Sequence, residues 1–331
     1  MFRDKCISLD SPAEWNRALE GIRHSFAHTW ENCYAMHLTT HFNTFLYCFE
    51  NGNTRIICPI AERTFGGHID IVTPYGFSGF VGTGDCPEFP QHWRRFVKDR
   101  GYVCGYIQLH PVFFNRTFFD PREFHLYHSV YLIDLAPSIN EMLRRMNRSR
   151  RKQVRKIIDG ASNLVFERQP LLDFLLANLS DFFRRKGASS VYQFSEETLS
   201  FLSGVDNVFF IGAGHPDKIE AVSVLAYTPY SGEAFLQISL PGSQNHAVEM
   251  VWFRMNYLKS LQVELFNLGG GVQQDDSLAR FKRGFGGRKV DLACLKQIYE
   301  PEVYHALCQE TKTDPRCLTG YFPSYRSAQF Y

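Results

Sequence analysis

One short stretch gathers most of the side chains able to do chemistry. In "NLGGGVQQDDSLARFKRGFGG", residues 267–287, Gly269, Gly270 and Gly271 precede Asp275 and Asp276, and Lys282 follows between Phe281 and Phe285. A lysine held in apolar surroundings can offer its ammonium to an oxyanion that develops during acyl transfer. The same residue can equally snorkel along the surface with its stem on the rings. Asp275 and Asp276 are candidates for moving protons, and equally for capping the short helix that "DSLARFKRGF" predicts, with Ser277 as another cap. The glycines follow an apolar strand and allow a ligand to approach the backbone closely. Their spacing fits neither G-x-G-x-x-G nor G-x-x-x-x-G-K-[ST], so a nucleotide cradle is not expected.

Charge is concentrated elsewhere. "LRRMNRSRRKQVRK", residues 143–156, holds eight basic residues and no acidic one in a chain whose net charge is only +2. Arg144, Arg148, Arg151 and Arg155 recur at helical spacing and predict one cationic stripe, with Leu143, Met146, Val154 and Ile157 on an apolar face. A solvated helix face is one reading. Self-repulsion without interspersed acids favours a docking face for a phosphate-bearing partner: tRNA, a pyrophosphate-linked precursor or a membrane surface. The aromatics are not interleaved with the stripe, so base stacking along a single strand is not indicated.

Other candidates are weaker. His125 and His128 lie three apart in a strand or its approach, with no carboxylate or cysteine placed to complete a metal site. No metal is expected. His110 ends a strand and organises the loop that follows. "YGFSGF", residues 75–80, has the wrong spacing for a serine nucleophile elbow, and Cys58 and Cys104 read as core.

The elements that must position these residues come from periodicity and breakers. "SPAEWNRALEGIRHS" and "FPQHWRRFVKDRG" predict helices, and "TFLYCFENGNTRIICPIAE" predicts a hairpin about Asn51-Gly52. "HIDIVTPYG", "YVCGYIQLHPV" and "LYHSVYLIDL" are strands. Next come one long helix, "SINEMLRRMNRSRRKQVRKIIDG", and a second helix stopped by Gly187. Strands "NVFFIGAG", "IEAVSVLAYT" and "GEAFLQISL" lead to the helix "AVEMVWFRMNYLKSL" and strands "VELFNLG" and "RKVDLACLK". Meander, helix and two strands thus recur at an offset of about 160 residues, predicting two copies of one α/β unit with mixed sheets. The meander lacks the helical crossovers of a dinucleotide-binding fold.

Bulk properties bound the rest. The 331 residues are 44% apolar and 15% aromatic, as in a well-packed protein of two domains. No apolar run approaches the roughly 20 residues needed to span a bilayer. The polar start does not read as a signal peptide, and the nine cysteines form no C-x-x-C pair. A cytoplasmic protein with reduced thiols, without stable membrane insertion, is expected.

The stretch "LGGGVQQDDSLARFKRGF" resembles the signature of the Fem family of peptidyltransferases and the wider group of tandem GNAT-like acyltransferases. "TPYGFSGF" (73–80), "LHPVFFN" (109–115), "RSRRKQVRK" (148–156) and "RRKGASSVYQFSEE" (184–197) are similar to that group's tracts, in the same order. The resemblance implies two GNAT-like domains, 1–136 with about 297–331, and 137–296, the C-terminal tail returning to the first. It implies transfer of an aminoacyl group from aminoacyl-tRNA to an amine on a peptide or cell-wall precursor. An acyl-CoA-dependent N-acyltransferase is the alternative, and a non-catalytic RNA- or lipid-binding protein a second one. It also places Lys282 beside the reacting carbonyl, Phe281 in the acyl channel, and Arg184, Arg185 and Tyr192 in the acceptor site. Tyr227 is a further candidate contact, and Tyr227 and His246 join the aspartates as candidate proton carriers. The helical arm of some members is missing. "PGSQNHAVEM" also lacks the Q/R-x-x-G-x-G/A loop that holds the pyrophosphate of CoA at a helix N-terminus. No resident cofactor is expected, and acyl-CoA is the less expected donor.

Overall fold

The computed structural model describes residues 3–160, 162–187, 193–215, 217–243, 246–271 and 276–329. The chain divides into two units, Met1–Tyr127 with Leu292–Tyr331, and His128–Asp291. In chain order the elements are β1 (Arg3–Ser8), α1 (Pro12–Leu19), α2 (Trp30–Thr40), β2 (Asn43–Asn51), β3 (Thr54–Phe65), β4 (His68–Val72), β5 (Val81–Gly82), α3 (Phe89–Asp99), β6 (Tyr102–Gln108) and β7 (Phe124–Asp134). They continue with α4 (Ile139–Arg145), α5 (Arg148–Ile158), β8 (Leu164–Val165), α6 (Arg168–Lys186), α7 (Glu196–Ser203), β9 (Val208–His215), β10 (Lys218–Tyr227) and β11 (Ser231–Ser239). The last are α8 (Ala247–Ser260), β12 (Leu265–Asn267), α9 (Ser277–Arg283), β13 (Arg288–Ile298) and α10 (Pro301–Glu310).

The first unit carries the sheet β1-β2-β3-β4-β6-β13, with β5 on β3. The Asn51-Gly52 turn closes the β2/β3 hairpin, with Asn51 opposite Thr54 and Gly52 at φ +58°. β4 and β6 are parallel, which requires a crossover, and α3 supplies it. α3 buries Phe89, Trp93, Phe96 and Val97; Trp93 meets Tyr47 edge-on at 5.0 Å. The C-terminal segment is tied to this sheet through Asp70. That carboxylate accepts from Arg63 Nε (2.7 Å), Arg326 Nε (2.7 Å) and the Tyr325 hydroxyl (2.9 Å).

The second unit repeats the order. Its sheet runs β7-β12-β11-β10-β9-β8, and α8 is the crossover between the parallel strands β11 and β12. α6 lies on β9, β10 and β11. Gly232 is required where α8 meets β11, since a Cβ there would fall 2.4 Å from Leu258 Cδ1. The mixed α/β fold expected from the sequence is present. No described helix is long and apolar enough to cross a membrane.

One local expectation is corrected, and one helix was not anticipated. The long basic segment is not one helix: Met146 is extended (ψ 148°), and Asn147 caps α5 by accepting from Arg150 N at 2.8 Å. A side chain that offers the backbone a competing hydrogen bond breaks a helix that charge periodicity alone would continue. Arg144 therefore leaves the stripe and pairs with Glu141 at 3.1 Å. Helix α2 has an apolar pattern too poor to announce itself, yet Thr29 caps it.

Candidate functional site

The glycine run lies at the end of β12 in the second unit. β12 pairs with β7 (Asn267 opposite Leu132), and the pairing continues as Leu268 N donates to Tyr131 O and Tyr131 N to Gly269 O. Gly269 has φ +73°, and a Cβ on Gly270 would lie 2.5 Å from Ser129 O and 2.9 Å from His128 Nε2. Glycine is needed here for backbone geometry as well as for access. Buried Asn267 fixes the turn by accepting from Gly269 N at 2.8 Å, while its amide donates to Glu233 at 3.1 Å. His128 adds a 2.7 Å hydrogen bond to Gly271 O.

Helix α9 brings Lys282 to that turn. Asp276 is its N-cap, its carboxylate accepting from Ala279 N at 2.7 Å. The Lys282 ammonium donates to Gly270 O at 2.6 Å. Burial, with the repulsion of Arg254 behind it and Asp276 opposing both, lowers its pKa to about 7. A half-buried ammonium anchored by one carbonyl at a strand end is suited to meet a developing oxyanion.

Helix α5 is fastened to the same segment. Asn147 N donates to Gly284 O at 3.1 Å, and the Arg150 guanidinium lies over Phe281 at 4.3 Å and Phe285 at 4.5 Å. Arg150 thus turns inward, and Phe281 is fixed by it. Arg148 and Arg155 are exposed and Arg151 is half-buried. None of the three has an ion pair among the described residues.

Other candidates fall apart from this cluster. Arg184 pairs with Asp181, and Arg185 donates to the Asp181 carbonyl at 3.3 Å, both exposed at the end of α6. Tyr227 meets Tyr257 edge-on, its hydroxyl reaching Asp206 O at 3.4 Å, and its pKa is pushed up to about 12 by burial first. His246 contacts Glu220 at 3.1 Å. Asp275 and Tyr192 lie outside the described residues. Among the described residues no metal-binding cluster is present.

Two side chains at the site carried little sequence signal, and a third carried one that was not used. His128 and Asn267 join it through the β7/β12 pairing, which is non-local. Arg254 had a readable one, a lone cation on the apolar face of α8 that bears Val251, Met255 and Leu258.

No family model matches the chain, and no curated protein does. Solved structures do. FemX superposes with a TM-score of 0.69 at 10% identity, over 92% of this chain and 99% of that one. The fold is Fem-like. L-PGS from Bacillus licheniformis has a similar fold, at TM-score 0.59 and 13% identity over 88% of this chain and 93% of that one. So has the C-terminal domain of a putative lysylphosphatidylglycerol synthetase from Agrobacterium fabrum, at 0.55 and 14% over 91% and 96%. In this Fem-like frame, Lys282 stands where the second unit's β12 ends.

Proposed function

We propose that this chain is an acyltransferase that forms an amide, passing an aminoacyl group from aminoacyl-tRNA to an amine on a peptide or cell-wall precursor. The observation that carries the reading is the Lys282 ammonium, half-buried beside the end of β12 and held by Gly270 O. The acceptor nitrogen attacks the ester carbonyl and the carbonyl oxygen becomes an oxyanion facing Lys282. Collapse breaks the bond to the tRNA 3′ oxygen, and the proton lost by nitrogen ends on that oxygen. Asp276 serves here through its cap, which sets the position of α9; positioning both substrates supplies much of the rate.

The donor assignment has three supports. The cations of α5 begin beside the Lys282 segment, as a phosphate-rich donor needs. At the N-terminus of α8, Ser243 and His246 hold the Glu220 carboxylate at 3.1 Å each. A carboxylate at that helix end disfavours the pyrophosphate of CoA. The name of one fold relative, a putative lysylphosphatidylglycerol synthetase, joins a lysyl group to a lipid and fits an aminoacyl group as well.

The deciding experiment incubates the protein with a charged-tRNA pool, radiolabelled amino acids and cell-wall precursor. RNase-sensitive transfer of label to the precursor is expected; label transfer that ignores RNase, or none, overturns the donor assignment. A second expectation concerns salt. Affinity for aminoacyl-tRNA falls as salt rises, and the double variant Arg148→Glu, Arg151→Glu binds more weakly with a log–log slope shallower by about 2. A salt-independent wild-type affinity defeats the docking role of α5.

The pH profile offers a third check. With a pKa of about 7, the Lys282 ammonium is lost as pH rises through neutrality, so kcat/KM of the free enzyme declines on that limb. Lys282→Arg stays charged and removes the decline. An unchanged limb in that variant assigns the titration to another group.

A further inference from the structure

The ammonium of Lys282 rests on the glycine turn. It donates to Gly270 O at 2.6 Å, and a Cβ on Gly269 would lie 3.1 Å from its Nζ. The shape of that turn therefore sets where the charge stands. Gly269 is fixed on both sides: Tyr131 N donates to its carbonyl at 3.2 Å, and its own N–H donates to Asn267 Oδ1 at 2.8 Å. The second bond depends on a side-chain amide, which has an acceptor face and a donor face. Turned the other way, Asn267 would aim its NH2 at the Gly269 N–H, donor against donor.

Glu233 decides which way the amide faces. The parallel register of β11 and β12 sets Glu233 beside Asn267, and Asn267 Nδ2 donates to Glu233 Oε2 at 3.1 Å. The other carboxylate oxygen accepts from Ser231 Oγ at 3.3 Å. Glu233 is 9% exposed and Asn267 2%, so water does not compete freely for either. An ionised carboxylate only accepts, which draws the amide nitrogen towards Glu233 and leaves the amide oxygen facing Gly269. Hydrogen bonds to a charged group are also the stronger kind.

We propose that Glu233 is a positioning residue for Lys282: through Asn267 it fixes the glycine turn on which the ammonium is held. The inference rests on the reading of Lys282 as the donor to the oxyanion. It assigns to that reaction a charged group that acts through two links. A displacement of about 1 Å at a reacting group costs about 10²-fold in rate, so the shape of the turn matters to turnover.

Two readouts on the full chain test it. Competitive labelling with acetic anhydride follows the titration of Lys282 without any turnover, and single-turnover transfer gives the rate. In Glu233→Gln the neutral side chain holds the amide less firmly, the turn loosens and the ammonium moves towards solvent. The Lys282 titration is then expected to rise from about 7 towards the ordinary lysine range, with transfer about 5-fold slower and aminoacyl-tRNA affinity unchanged. The sign decides, because removing a nearby negative charge without moving the lysine lowers its pKa. Asn267→Asp sets two carboxylates against each other and slows transfer further. Adding Glu233→Gln to it restores both hydrogen bonds, the first with donor and acceptor exchanged, and both readouts recover towards wild type. A titration that stays or falls in Glu233→Gln overturns the role, even where stability drops, since a merely structural contact would do that. A double variant no better than Asn267→Asp overturns it as well. Should the single variants fail to fold, a Lys282 titration in the double variant far from that of wild type overturns it instead. A wild type that titrates as expected but transfers nothing defeats the reaction and leaves the relay standing.

Discussion

Lys282→Met lowers kcat by about 10²- to 10³-fold, the range seen when one donor to an oxyanion is removed. Methionine keeps most of the stem, so the loss reports the ammonium. The fold is expected to survive. The folded-state pKa of Lys282 is depressed, so the unfolded chain binds more protons between about pH 7 and the ordinary lysine range. Its contribution to stability is fully present above that range and declines as pH falls towards 7. Removing the amine therefore costs little at neutral pH, and the urea midpoint should stay near that of wild type. Single-turnover transfer gives the reading, and an undiminished rate ends the proposed role of this residue.

Asp70→Asn unfolds the first unit more readily, by about 3–5 kcal/mol. Asp70 is 1% exposed and serves two guanidiniums, Arg63 and Arg326, each 7% exposed. The amide keeps the volume but removes the charge, leaving two buried cations facing each other. The hydroxyl of Tyr325 loses an ionised acceptor at the same site. The drop appears as a lower urea midpoint with an unchanged slope. Adding Arg326→Met to Asp70→Asn should recover part of it, since one stranded charge is then gone. A midpoint within experimental error of wild type contradicts the anchoring role of this cluster.

These two residues differ in how far they could be read in advance. Lys282 stood out because a cation between two phenylalanines, after a glycine run, is a local pattern. Asp70 sits in "HIDIVTPYG" with nothing nearby to mark it, since its partners are Arg63 across a β3/β4 pair and Arg326 far along the chain. The same contrast runs through the basic segment. Its charge density was legible, but not the Asn147 cap that splits it, nor the inward turn of Arg150 onto Phe281 and Phe285.

By itself the sequence determined what local chemistry determines: the hairpin at Asn51-Gly52, the repeated order of meander, helix and strands, the α9 segment with Lys282 on it, and the cluster of cations at 144–156. Those follow from turn residues, periodicity and charge, which act over a few residues. Only the tertiary structure decided which groups meet. It joined β7 to β12 and so set His128 against the glycine run, and it buried Arg254 against Met250, Ser223 and Gln237. Strand pairing and burial act between residues far apart in the chain. The depressed pKa of Lys282 likewise belongs to the packed site, because burial and the charge of Arg254 produce it.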